Sequence, residues 1–197
     1  MKLVIATKNR GKARELGEML KGLEVEVLSL ADFPSVALPP EDGDTFTENA
    51  LIKARAVFEA TGLPSLADDS GLVVDALDGR PGIYSARYAG RNATDEDNYR
   101  KLLGELEGVP LGKRAARFVC ALAYKDKVRE EVFEGELCGR IAARPRGENG
   151  FGYDPVFEVE RLGRTAAELS PGEKNAISHR AEALRRFKTW FAEVSRG

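Results

Sequence analysis

The sequence predicts an α/β fold in which a mixed central sheet is flanked by helices. Three observations predict it. Apolar strand-like runs stand before, between and after helical stripes; the first run passes through a short polar turn directly into a helix; and residues 115–124 and 128–137 flank Lys125-Asp126-Lys127 as a long antiparallel hairpin. Strand–helix alternation favours parallel pairing and the hairpin adds antiparallel pairing, so the sheet is expected to be mixed. A chain of 197 residues is long enough to bury a full core and is read as one domain over 1–197.

Residues 2–6 form a short apolar run, the turn Thr7-Lys8-Asn9-Arg10-Gly11-Lys12 follows, and Ala13, Leu16, Leu20 and Leu23 then recur at helical spacing. Val25 and Val27 alternate with glutamates as a second strand, and residues 34–44 are a proline-rich loop. Thr45 and Glu48 make a capping box that starts a helix with Phe46, Ala50, Ala54, Val57 and Phe58 on its buried face; Gly62 and Pro64 end it. Residues 65–67 and 72–77 are expected as two strands separated by a turn at Asp68-Asp69-Ser70-Gly71. After the irregular stretch 78–93, Thr94 and Asp97 open another helix. Beyond the hairpin come a possible strand at 141–143, the glycine-rich loop 146–154 and a strand at 156–159. Ser170, Pro171 and Glu173 then start a helical turn, with Ser178 able to cap a fresh helix.

Composition excludes several classes. A net charge of −2 gives no bulk field for nucleic acid, and the one dense basic stretch, residues 180–188, lies on an amphipathic helix. No apolar run approaches the ~20 residues that span a bilayer, and the N-terminus does not read as a signal peptide, so a cytoplasmic protein without membrane or nucleic-acid partners is expected. The two cysteines, Cys120 and Cys138, have no metal spacing around them and indicate neither a disulfide framework nor zinc.

Four segments carry chemistry. Thr7 to Lys12 join a strand to a helix N-terminus, where backbone amides and the positive dipole end favour a phosphate and Lys8, Arg10 and Lys12 add charge; taken alone, a solvated basic turn explains the segment as well. Asp68 and Asp69 leave a strand together, which suits Mg²⁺, although the same residues are good turn formers. The glycines around Phe151 would bring backbone and an aromatic face close to a flat ligand, or simply make turns. Lys174, His179 and Arg180 cluster late in the chain, and His179 is its only histidine. Together these segments favour a nucleotide site with a metal.

At this point the sequence resembles a known family. Thr7-Lys8-Asn9-Arg10-Gly11-Lys12, the block from Glu41 through Glu48-Asn49-Ala50 to Lys53-Ala54, Leu66-Ala67-Asp68-Asp69-Ser70-Gly71-Leu72, Pro81-Gly82-Ile83-Tyr84-Ser85-Ala86-Arg87-Tyr88, Gly150-Phe151-Gly152-Tyr153-Asp154-Pro155 and Ile177-Ser178-His179-Arg180 are similar, in order and over nearly the whole chain, to the signature blocks of the inosine triphosphate pyrophosphatase family, the bacterial dITP/XTP pyrophosphatases. The resemblance implies a homodimer of two-lobed α/β protomers with an active-site cleft between the lobes. It also implies Mg²⁺-dependent hydrolysis of the purine triphosphates ITP, dITP and XTP to monophosphate and pyrophosphate, which clears deaminated purines.

It further implies roles. Thr7, Lys8, Asn9, Arg10, Gly11 and Lys12 would hold the triphosphate, with Asn9 and Lys12 as side-chain contacts and Lys53 as a further cation. Glu41 and Asp69 would bind Mg²⁺ with Asp68 nearby, and Asp69 would accept the proton of the attacking water; adjacency does not say which aspartate is the base. Ser70 would contact substrate, Phe151, Gly152, Tyr153 and Asp154 would hold and stack the base, and Lys174, His179 and Arg180 would read its 6-oxo edge. A non-catalytic nucleotide-binding module is the competing class. The three acids argue against it, because carboxylates repel a triphosphate unless a metal sits between them.

Overall fold

The computed structural model describes residues 1–195. Seven strands form one sheet in the order β2-β1-β3-β4-β5-β6-β7. They are β1 (Lys2–Ile5), β2 (Glu26–Ser29), β3 (Ser65–Val74), β4 (Ala115–Lys125), β5 (Glu130–Ile141), β6 (Phe157–Val159) and β7 (Arg164–Thr165). β1 pairs in parallel with β2 and β3, while β5, β6 and β7 pair antiparallel, so the sheet is mixed as expected. The helices are α1 (Arg10–Leu20), α2 (Phe46–Thr61), α3 (Asp95–Glu105), α4 (Pro171–Ile177) and α5 (His179–Val194).

Local chemistry explains the helix ends. The expected capping boxes Thr45/Glu48 and Thr94/Asp97 are both closed, and α2 stops at Gly62, which takes the left-handed φ of 68° that costs glycine nothing. Ser170 caps α4 with Pro171 in its first turn, and a separate helix follows from His179. The β4–β5 connection is longer than the sequence suggests: Asp126 Oδ1 accepts from the amides of Val128 and Arg129, an Asx turn that delays β5 to Glu130.

The main departure is β3. The expected turn at residues 68–71 is absent, and one ten-residue strand runs through it. Asp68 and Asp69 stay in the strand because each finds cations of its own, as described below.

The chain divides into two compact units, Met1–Asp69 with Cys120–Gly135 and Arg180–Gly197, and Ser70–Val119 with Glu136–His179. In the first, period-two alternation sorts β1 between two cores. Leu3 and Ile5 pack with Leu66, Leu122 and with Leu16, Leu20, Leu184 and Phe187 of α1 and α5, whereas Val4 packs with Ala67, Ala121 and Ala123 and with Ala50, Ala54 and Val57 of α2. A strand covered on both faces reads as the continuous apolar run seen in the sequence. The second unit has its own core, with Leu72, Val74, Leu102, Leu106, Phe118, Ile141 and Phe157 at its centre.

Candidate active site

Helix α1 starts earlier than the sequence suggests, at Arg10, and this reassigns Asn9. Its Oδ1 accepts from the amide of Lys12 at 3.0 Å, and its own amide donates to Thr7 Oγ1 at 3.2 Å. Asn9 is therefore the helix cap, and its carboxamide oxygen is engaged with the helix rather than presented as the expected phosphate contact. Gly11 lies in the first helical turn. Lys8 and Arg10 are exposed, and with Thr7 and Ala13 they line one wall of a cavity of about 520 Å³ whose other wall is the 29–37 segment.

Alternation along β3 separates the two aspartates. Asp68 lies on the face of Leu66 and is fully buried; Asp69 lies on the face of Ala67. Asp68 Oδ1 is 2.6 Å from Lys12 Nζ, and its Oδ2 accepts from Arg180 Nε at 2.8 Å and from the Cys120 thiol at 3.2 Å. Arg180 also donates to Glu15. Burial by itself would raise the Asp68 carboxyl, but Arg180 and Lys12 outweigh it and hold Asp68 well below the usual carboxylate range. Burial, then Asp68, pushes the Cys120 thiol up, so it stays a neutral donor.

Asp68 has both oxygens engaged by cations, Lys12 on one and Arg180 on the other. Lys12 reaches Asp68 rather than standing ready in a loop. Arg180 is 2 % exposed and held by two carboxylates, Asp68 and Glu15. Glu15 and Cys120 were not singled out from the sequence. Glu15 had a signal: it lies one turn beyond Lys12 on α1, beside Leu16, where a buried acid needs a cation.

Asp69 occupies a different setting. Lys53, from the middle of α2, places its Nζ 2.7 Å from Asp69 Oδ1, 2.8 Å from Glu41 Oε1 and 2.8 Å from the Asp68 carbonyl oxygen. Burial opposes the charge on Lys53, but Asp69 and Glu41 more than restore it and its pKa is raised. Asp69 is raised as well, because burial of its carboxylate outweighs Lys53 and Lys12. An ionisable carboxylate with a raised pKa, next to a fixed cation, is suited to accepting a proton.

Glu41 and Asp69 also fit a hard divalent cation. They come from a loop and a strand and are brought together by the one Lys53 ammonium; Mg²⁺ needs only one or two carboxylates when phosphates and waters complete its shell. Among the described residues there is no cluster of three or more acid, cysteine or histidine side chains arranged to hold a metal without such help.

The second unit holds the expected base-binding residues. Asp154, buried, accepts at Oδ2 from the Phe151 amide at 2.9 Å and from Lys174 Nζ at 2.6 Å, and Lys174 Nζ lies 4.6 Å from the centroid of the half-exposed Phe151 ring. The same buried oxygen would lie 2.0 Å from a Cβ at Gly150, so only glycine fits there. Gly152 has φ 61° and donates its amide to Asp95 Oδ2 at 2.7 Å, and Tyr153 donates its hydroxyl to the Ser85 carbonyl at 2.8 Å. His179 is buried and stacks on Phe118 with centroids 5.0 Å apart. Ser70 follows Asp69 on β3 and is the first residue of the second unit. Lys174, His179, Phe151, Gly152, Tyr153 and Asp154 thus belong to one unit, while Arg180 belongs to the other with Asp68.

Residues 3–190 match the model of the Ham1 family. The chain is 56% identical over 184 residues to a protein of Geobacter sulfurreducens named dITP/XTP pyrophosphatase, covering 93% of this chain and 92% of that one. It is 53% identical over 196 residues to a protein of the same name from Geobacillus kaustophilus, covering 99% and 96%. Among solved structures, a HAM1 protein from Coxiella burnetii superposes with a TM-score of 0.89 at 46% identity, covering 98% of this chain and 99% of that one. A nucleoside-triphosphatase / dITP/XTP pyrophosphatase from Mycobacterium abscessus gives 0.77 at 48% identity, covering 95% and 98%. The chain therefore belongs to the Ham1 family.

Proposed function

We propose that this protein hydrolyses the non-canonical purine nucleoside triphosphates ITP, dITP and XTP to the nucleoside monophosphate and pyrophosphate, with Mg²⁺. The observation that carries the reading is the Lys53-centred pair of Glu41 and Asp69, in a chain more than half identical to proteins named dITP/XTP pyrophosphatase. Glu41 and Asp69 would hold the metal, which when bound neutralises phosphate charge and lowers the pKa of water. Lys8 and Arg10 neutralise the β and γ phosphates, so pyrophosphate becomes the better leaving group. Lys53 keeps both acids in place. Asp69 takes the proton of the water that attacks the α phosphorus; the new P–O bond forms there as the bond to the bridging oxygen breaks, and pyrophosphate leaves with that electron pair.

Selectivity would come from the second unit. Phe151 offers its face to the purine, and Lys174 and His179 offer donors to a 6-oxo group. Adenine presents an amino donor at that edge, which leaves buried donors unpaired at a cost of about 1–3 kcal/mol.

The same reading carries a homodimer and a cytoplasmic setting, the first to be checked by sedimentation; no helix among the described residues is long and apolar enough to cross a membrane. The decisive experiment is a product assay with ITP, XTP, GTP and ATP in parallel, with ITP repeated in ¹⁸O-water. Labelled IMP and unlabelled pyrophosphate are expected. Label in pyrophosphate would move the attack to the β phosphorus, and orthophosphate release would indicate a γ-phosphatase.

A further inference from the structure

The carboxylate of Asp95 takes no part in closing the cap of its own helix. Thr94 and Asp97 close the cap of α3 between themselves, with Thr94 Oγ1 accepting from the Asp97 amide at 3.1 Å and Asp97 Oδ2 from the Thr94 amide at 2.9 Å. Asp95 Oδ2 instead accepts from the amide of Gly152, 57 residues further along the chain, at 2.7 Å. That amide is the next one after Phe151, whose own amide is held by Asp154, and the residue beyond it, Tyr153, is tied to Ser85. Gly152 at φ 61° supplies the bend, a left-handed backbone that glycine adopts without steric cost. The Phe151 ring therefore sits on a short arch pinned from inside by Asp154 and from outside by Asp95. Asp95 stands in the first turn of α3, an end of the helix that favours a negative side chain.

We propose that Asp95 is a positioning residue for purine binding, fixing the plane of the Phe151 ring through the Gly152 N–H. This rests on the reading of residues 151–154 as the base-binding segment. Phosphate handling in the first unit should not sense it, so the effect should appear only with ligands that carry a base.

Asp95→Ala and Asp95→Asn, compared with the unaltered protein, test this. In Asp95→Ala the Gly152 amide should exchange with solvent about tenfold faster, and KM for ITP should rise about five- to tenfold with kcat within about twofold. Inhibition by inorganic tripolyphosphate, which has no base, should be unchanged. Asp95→Asn keeps a carbonyl acceptor and should recover most of the loss. The inference is overturned if exchange at Gly152 does not change, if exchange quickens while KM stays put, or if tripolyphosphate inhibition weakens in step with KM. An unaltered protein that hydrolyses no ITP would overturn the functional reading itself, and that result is seen before any substitution is made.

Discussion

Arg180 Nε lies 2.8 Å from Asp68 Oδ2, and both side chains are buried, Arg180 at 2 % and Asp68 at 0 % exposure. With the partly buried Lys12 on the other Asp68 oxygen and Glu15 on Arg180, the group balances two positive and two negative charges. A buried network of this kind is costly to break from one side, because the partner left behind keeps its desolvation penalty. Asp68→Asn and Arg180→Met should each destabilise the protein by about 3–5 kcal/mol, and the double variant by clearly less than their sum. Urea unfolding of the four proteins measures both terms; strict additivity would show that the pair is not coupled.

Acid should dissolve the same network. The Asp68 pKa in the folded protein lies below its ordinary value of 3.8, so its stabilisation is fully present above that value and is lost as pH falls toward the folded pKa. The stability gap between the unaltered protein and Asp68→Asn should be constant above about pH 5 and shrink below about pH 4. A gap that widened on acidification would give the shift the opposite sign.

How far the sequence could reveal this depended on the range of the interactions. The helix starts at Thr45, Thr94 and Ser170 are set by residues three apart and were legible, as was the continuous apolar run of β1. Asp68-Asp69-Ser70-Gly71 looked like a turn because its local chemistry is turn chemistry. The cations that keep it extended come from positions 12, 53 and 180, and no local window contains them. The partners of Arg180 were hidden for the same reason: Asp68 and Glu15 lie far from it along the chain.

The acid pair beside Lys53 should control turnover rather than folding. Burial outweighs the cations at the Asp69 carboxylate, unlike at Asp68, and each of Asp69→Asn and Glu41→Gln leaves Lys53 one carboxylate, so each should lower kcat by about a hundredfold or more with a smaller loss of stability than Asp68→Asn. EDTA should abolish ITP hydrolysis, and Mg²⁺ should restore it. Full activity of Asp69→Asn at saturating Mg²⁺ would remove Asp69 from the chemistry.

Two glycine substitutions should move stability in opposite directions. Gly147 has φ 80°, and a Cβ there would lie 2.3 Å from the Ala167 carbonyl carbon, a backbone atom that cannot swing away. Gly147→Ala should therefore cost about 2–4 kcal/mol. Gly17 lies inside α1 with nothing within 4 Å of its Cβ position, so Gly17→Ala should stabilise by up to about 1 kcal/mol. Paired denaturation curves decide; equal effects would mean that space around Cβ does not control these sites.

Lys174 offers the sharpest test of base selectivity. Its ammonium is buried, anchored to Asp154 Oδ2 at 2.6 Å and placed 4.6 Å from the Phe151 centroid, so it sits at the ring on which a purine would stack. A donor that meets O6 of hypoxanthine but the amino group of adenine contributes to the ratio of kcat/KM values and not equally to both substrates. Lys174→Met keeps the aliphatic stem and removes the donor, and it should narrow the ITP to ATP ratio by about tenfold, most of it through loss of ITP turnover. The variant also leaves Asp154 without its cation, and Lys174→Met/Asp154→Asn separates the two effects: restored stability with the ratio still narrow assigns the selectivity to the ammonium. An equal fractional loss for ITP and ATP would place Lys174 on the phosphates or in the architecture of the loop.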